Sequence, residues 1–170
     1  MKTSSLLLSG LFSTLGLGAT LQQREPAANS AADVIAYAPF TAGGRTQYCG
    51  DTAVTTVTTS ANSPLAADCG VLGNHFHPIN GYFTLEIPAS DDGNKWHPVA
   101  RVGTCTFAIR VETGAEAVKI DVGSNDISFQ TISSMILAKD GKLGAEGGVW
   151  CFAKGQHKDL YWGLVKLEEN

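Results

Sequence analysis

Cys49, Cys69, Cys105 and Cys151 constrain this chain more than any other feature. They follow a removable export signal, and exported thiols meet an oxidising environment in which they close in pairs. An even count leaves no thiol over, so the four read as a disulfide framework. Zinc is disfavoured, because its structural sites use tighter Cys-x-x-Cys spacing. Four cysteines permit three pairings, and spacing alone leaves all three open.

The export signal is expected over residues 1–19. Lys2 supplies the positive start, Leu6, Leu7, Leu8, Leu11, Phe12, Leu15 and Leu17 the apolar stretch, and Gly16, Gly18, Ala19 and Thr20 the small residues of a cleavage site. The apolar run falls short of the roughly 18 residues needed to span a bilayer, so the product is expected to be released, secreted and extracellular. Cleavage would remove one lysine and no acid, leaving 11 − 16 = −5 charges. A mildly acidic protein without a Lys/Arg cluster has no electrostatic pull towards phosphate backbones, which excludes nucleic acid as a partner. The remaining length of about 150 residues suits one domain with a real core.

Composition divides that remainder. Residues 20–46 are rich in Ala, Gln, Asn, Ser and Gly, and only Val34-Ile35 and Tyr37–Phe40 could pack, so they are expected to form a flexible arm or pro-segment. The folded domain is expected over residues 47–170. Thr52–Thr59 is β-branched and reads as a strand. Ser63 could cap a helix with Pro64 at its first position, placing Leu65, Cys69, Leu72 and Phe76 on one face, weakened by Gly70 and ended by Gly73. Tyr82–Ile87, Val99–Glu112 and Ala117–Val122 read as strands, with Ala89–Lys95 a turn and Gly114 a hairpin turn. Ser124–Lys139 is the strongest helix. Ser124 or Asn125 would cap it, Asp126 would sit at its positive end, Phe129, Ile132, Met135 and Ile136 would share an arc, and Gly141 would close it. Val149–Ala153 and Leu160–Leu167 complete the chain. This order predicts an α+β fold: a two-layer α/β sandwich, its sheet mostly antiparallel, with two helices and two disulfides.

The fragments Cys49-Gly50 … Ser63-Pro64-Leu65-Ala66-Ala67-Asp68-Cys69, Val102-Gly103-Thr104-Cys105-Thr106-Phe107, Val122-Gly123 … Asp126-Ile127 … Ile132 and Gly144-Ala145-Glu146-Gly147 … Cys151 fall in an order that resembles the necrosis-inducing-factor family of small secreted fungal virulence effectors. The resemblance covers about Cys49 to Phe152. It implies an apoplastic effector that provokes cell death in plant tissue, with disulfides 49–69 and 105–151. Loops of those sizes would stabilise the fold by roughly 3 and 4 kcal/mol. A more distant similarity, to the smut-fungus killer toxin of α/β-sandwich fold, adds antimicrobial action on calcium channels as an alternative. The family brings no catalytic residues with it.

The residues themselves offer few sites. His75-Phe76-His77 would face both imidazoles the same way on a strand, which makes His75 and His77 the weak candidates for a metal, but Pro78 suggests a loop and no third ligand is local. Neither a metal nor another cofactor is expected. Asp68, Glu86, Asp121, Asp126 and Glu146 include no pair whose spacing establishes a glycosidase, Asp68 reads as ordinary helix surface, and no nucleophile elbow or zincin helix occurs. The expectation is a non-enzyme. Trp96, Trp150, Tyr161 and Trp162 could form a face that stacks on sugar or anchors a protein, though burial is the commoner fate of tryptophan. Tyr161, Trp162 and Trp96 are the binding candidates, and Trp150 should point away from the side that holds Cys151. The expected partner of this monomer is a host plant protein or a membrane component such as a channel, with a secreted cell-wall carbohydrate binder or small hydrolase as the alternative function.

Overall fold

The computed structural model describes residues 33–50, 56–89, 93–112, 115–153 and 156–167. Among them the chain runs β1 (Ile35–Ala36), β2 (Phe40–Ala42), β3 (Thr56–Val57), α1 (Ala66–Phe76), β4 (Gly81–Ile87), β5 (His97–Val102), β6 (Cys105–Arg110), β7 (Val118–Gly123), α2 (Ser124–Ser134) with a 3-10 turn (Met135–Leu137), β8 (Ala145–Ala153) and β9 (Gln156–Val165). Six strands form one sheet in the order β1-β5-β6-β9-β8-β3, and β2-β4-β7 form a second. Each neighbouring pair is antiparallel. The fold is thus the expected α+β type, with its antiparallel sheet divided in two.

Alternation sets the faces. β8 buries Ala145, Gly147, Val149, Cys151 and Ala153 and turns the residues between them outward, and β4 does the same with Phe83, Leu85 and Ile87. The helices pack on one another, α1 against β5 and β6, α2 against β4 and β7. Phe107 and Trp162 lie parallel and offset within the core, ring centroids 6.2 Å apart.

Several local expectations are corrected. Val99–Glu112 is not one strand: the chain reverses at Gly103-Thr104, where Gly103 takes φ +52°, so Val102 and Cys105 become register partners. Val111 and Val118 are not joined by a hairpin, since β6 and β7 lie in different sheets; Gly114 itself is outside the described residues. Helix α1 begins at Ala66, not Pro64, because Ser63 is occupied in the preceding loop, where its Oγ accepts from the Ser60 N–H at 2.9 Å. Gly73 lies buried inside α1 and does not end it. Asp140-Gly141 forms a tight turn between Lys139 and Lys142, so α2 stops sooner than expected. Part of the expected arm is also in the fold: Ile35–Ala36 and Phe40–Ala42 each add a strand to a sheet edge. Their side chains stay exposed, so backbone pairing, with Phe40 against Phe83 at 4.9 Å, is what seats them. The expected signal at 1–19 lies outside the described residues.

The disulfide pairing differs too. Cys49 joins Cys151 and Cys69 joins Cys105, not 49–69 and 105–151. Partnership follows docking. Cys49 and Cys151 are β-bridge partners, flanked by Gly50 N–H donating to the Trp150 carbonyl at 2.8 Å and Phe152 N–H donating to that of Tyr48 at 3.1 Å. Cys69 sits on the buried side of α1 above the first residue of β6. Beside it the Thr104 N–H and Oγ1–H both donate to Asp68 Oδ2 at 2.7 Å, and Thr104 Oγ1 accepts from the Leu65 N–H at 2.8 Å. Asp68 is therefore a clamp between helix and hairpin, not ordinary surface.

The bridges close loops of 102 and 36 residues. In the chain-entropy relation these contribute about 5 and about 4 kcal/mol, comparable to the whole stability of a domain this size. Replacing Cys49 and Cys151 together by Ala should therefore cost more than replacing Cys69 and Cys105, as read from urea midpoints. A non-reducing digest should yield the peptide pairs 49/151 and 69/105; a 49/69 cross-link would refute the arrangement.

Candidate interaction surfaces

Asp126 anchors the first surface. One of its oxygens, Oδ2, accepts three backbone N–H groups, from Gly123 at 2.8 Å, Tyr48 at 2.9 Å and Cys49 at 3.1 Å. Gly123, not Ser124 or Asn125, is the N-cap of α2, and Asp126 is the residue that bonds back to it. The same carboxylate fastens the strand-like segment before Cys49 to the helix start. Burial pushes Asp126 up to about 6, against the pull of those N–H donors and of Arg45.

The rest of α2 is turned opposite to expectation. Phe129, Ile132 and Ile136 are exposed, at 53%, 40% and 88%, and Met135 is only half-buried. Inward go Ile127 and the small polar residues Ser124, Ser128, Thr131 and Ser134, with Gln130. The reason lies on α1. A Cβ on Gly73 would sit 2.9 Å from Ile132 Cγ1 and 3.2 Å from Thr131 Cβ, and Gly70 lies under Met135, so the glycines form a flat seat on which α2 packs closely through Thr131 and the flank of Ile132. Burial of the hydroxyls is eased where they find carbonyls: Ser134 Oγ donates to the Gln130 carbonyl at 2.7 Å and Ser124 Oγ to that of Ile79. An open groove of about 400 Å³ follows the outer side of α2, past Gln47, His77, Asp126, Phe129 and Ile132.

The second surface is the outward face of the six-stranded sheet. Of the expected aromatics, Trp162 does not reach it: the indole is fully buried on the core side, so it cannot be a contact residue. Tyr161 and Trp96 are half-buried on the outward face, clasping the Arg110 guanidinium at 4.7 and 5.0 Å from their ring centroids. Trp150 is 42% exposed, its indole laid over Gly50, where a Cβ would sit 2.1 Å from Cε2. His157 meets its edge, ring centroids 4.6 Å apart.

The imidazole pair falls at the end of α1, with His75 in its last turn and His77 just beyond. Two residues apart on a helix, the rings diverge, unlike the strand geometry that would have converged them. Among the described residues no group of three or more His, Cys, Asp or Glu side chains could hold a metal ion. No helix among them is long and apolar enough to cross a membrane. Asp91 and Asp92 lie outside the described residues.

The fold is a disulfide-crosslinked α+β module with two exposed, partly apolar surfaces. The family model Hce2, "Pathogen effector; putative necrosis-inducing factor", matches residues 48–151, more than half of the chain, and the chain belongs to this family. No curated protein matches it.

The raised Asp126 gives a pH signature. Between about 4 and 6 the folded state holds this proton while the unfolded chain, with an ordinary value of 3.8, has lost it. The stabilisation is therefore full below about 4 and fades as pH rises through 6, by up to about 3 kcal/mol. Urea midpoints should fall across that interval. Asp126→Asn keeps an oxygen for the three N–H groups and should flatten the profile; an unchanged slope would assign it to other groups.

Proposed function

We propose that the protein is a secreted effector that provokes necrosis in host plant tissue by binding a host target, without turning over a substrate. Family membership supports effector action, and the two disulfides suit an exported, extracellular protein. The observation that carries the binding reading is the outer side of α2. Helix α2 buries serines and presents Phe129 and Ile132 to solvent, and with Ile136 of the following 3-10 turn this leaves apolar area that a partner could cover. These residues follow one another at helical spacing, the pattern by which an amphipathic helix enters a hydrophobic groove on another protein. A host protein with such a groove is the target this surface fits.

The test is infiltration of purified protein into leaves. The wild type should lesion tissue. The triple change Phe129→Ser, Ile132→Ser, Ile136→Ser should lower the unfolding free energy by no more than about 2 kcal/mol, mostly through Ile132, whose Cγ1 packs on Gly73, and should leave the protein folded. It should raise the dose for a lesion by roughly a hundredfold, as the loss of central apolar anchors does elsewhere. Equal potency in a folded variant would remove α2 from the reading.

A further inference from the structure

Independently of the α2 surface, we propose that the outward face of β8 and β9 carries a binding site for a neutral polysaccharide chain. Register places the pairs Trp150↔Asp159 and Gly148↔Tyr161 side by side, with all four positions on the same sheet face. Trp150 and Tyr161 are diagonal neighbours, and the corner between them is empty because Gly148 has no side chain: a Cβ there would meet nothing within 4 Å. The result is a hollow of about 330 Å³ walled by Trp150, Tyr161, Asp159 and Glu112, with Gly148 as its floor. That volume is at the small end of ligand sites, enough for a sugar unit and its neighbours.

Both walls are held in place before any ligand arrives. Trp150 is backed by Gly50 beside the Cys49–Cys151 bridge, which fixes the indole while leaving it 42% exposed. Tyr161 is held at both ends. Its hydroxyl donates to Glu112 Oε1 at 3.3 Å, and its ring packs on Arg110, which also bridges Glu146 at 3.6 Å. Immobile aromatic walls lower the ordering cost of binding.

The wall chemistry selects the ligand class. The π-faces of indole and phenol attract the weakly positive C–H face of a pyranose ring. Asp159 and Glu112 are acceptors suited to hydroxyl donors. The charged residues that line the hollow are Glu112 and Asp159, and the Arg110 guanidinium on the Tyr161 ring is already paired with Glu146, so a uronate, sulfate or phosphate would meet like charge. A purely apolar segment would strip water from two carboxylates without replacing it. Beyond Trp150 the same face continues with Phe152 and His157, centroids 4.5 Å apart, so a polymer has more to contact than a single sugar.

The experiment is co-sedimentation with insoluble cellulose, β-glucan and chitin, with chitosan and polygalacturonate as cationic and anionic arms. At least one neutral polymer should retain the protein, and free monosaccharide should compete poorly. Gly148→Val fills the hollow with a residue suited to a strand, so its unfolding midpoint should hold while retention weakens roughly tenfold or more. Trp150→Ala should weaken it similarly. The α2 triple variant should be retained like the wild type, which separates this site from the necrosis reading. Three results would overturn the proposal: no retention on any neutral polymer, retention only on chitosan or only on polygalacturonate, or wild-type retention of Gly148→Val.

Discussion

The Cys49–Cys151 bridge and the three N–H groups gathered by Asp126 act on the same short segment, and the rest of the molecule is organised around it. Residues 46–50 carry little apolar bulk: Cys49 and Gly50 alone are buried there. Hydrophobic area cannot hold such a segment against its ordering entropy, which runs to about 1–2 kcal/mol per residue. A covalent link that closes a 102-residue loop can, and the buried carboxylate adds direction by fixing Tyr48 and Cys49 to the start of α2. One stretch of chain thereby joins β8 to the helix pair.

The helix pair explains why so polar a helix can sit in a core. Close approach of α1 and α2 is allowed by Gly73 facing Ile132 and Thr131 and by Gly70 facing Met135. A side chain on Gly73 would force the axes apart, and the seat it leaves takes Thr131 and one flank of Ile132 while Phe129 and Ile136 face solvent. Thr131 Oγ1 and Ser128 Oγ are buried without a hydrogen-bond partner among the described residues, a cost that close packing has to offset. An arrangement that gives up apolar burial and leaves hydroxyls unbonded is poorly explained by stability alone. It makes sense if the exposed arc serves recognition.

Much of the fold was legible because its signals are local. Alternation in Tyr82–Ile87 and Ala117–Val122, and the spacing of Cys69, Leu72 and Phe76, place the right faces inward. What escaped depends on partners distant in sequence. The disulfide pairing was misjudged because it follows a β-bridge between residues 49 and 151 and a helix–strand contact between 69 and 105. The orientation of α2 escaped because hydropathy favours the Phe129–Ile136 arc, while the deciding feature is glycine on another helix. A signal was nonetheless present: the opposite face holds serine and threonine instead of lysine or glutamate, so nothing charged barred it from the core. Trp162 and Trp150 show the same dependence. Alternation relative to Cys151 suffices to turn Trp150 outward, whereas Trp162 takes its side from pairing with Gly147 and Ile109.

β8 carries both halves of this organisation within a dipeptide. Cys151 faces the core and closes the longer covalent loop, while Trp150, one residue earlier, faces out and walls the hollow on the sheet face. Alternation makes the two inseparable, since a one-residue slip would bury the indole and expose the sulfur. The disulfide therefore does more than restrict the unfolded chain. It fixes the register of the strand that presents Trp150 and brings Gly50 beneath the indole, so a crosslink that stabilises the fold also sets the geometry of a surface.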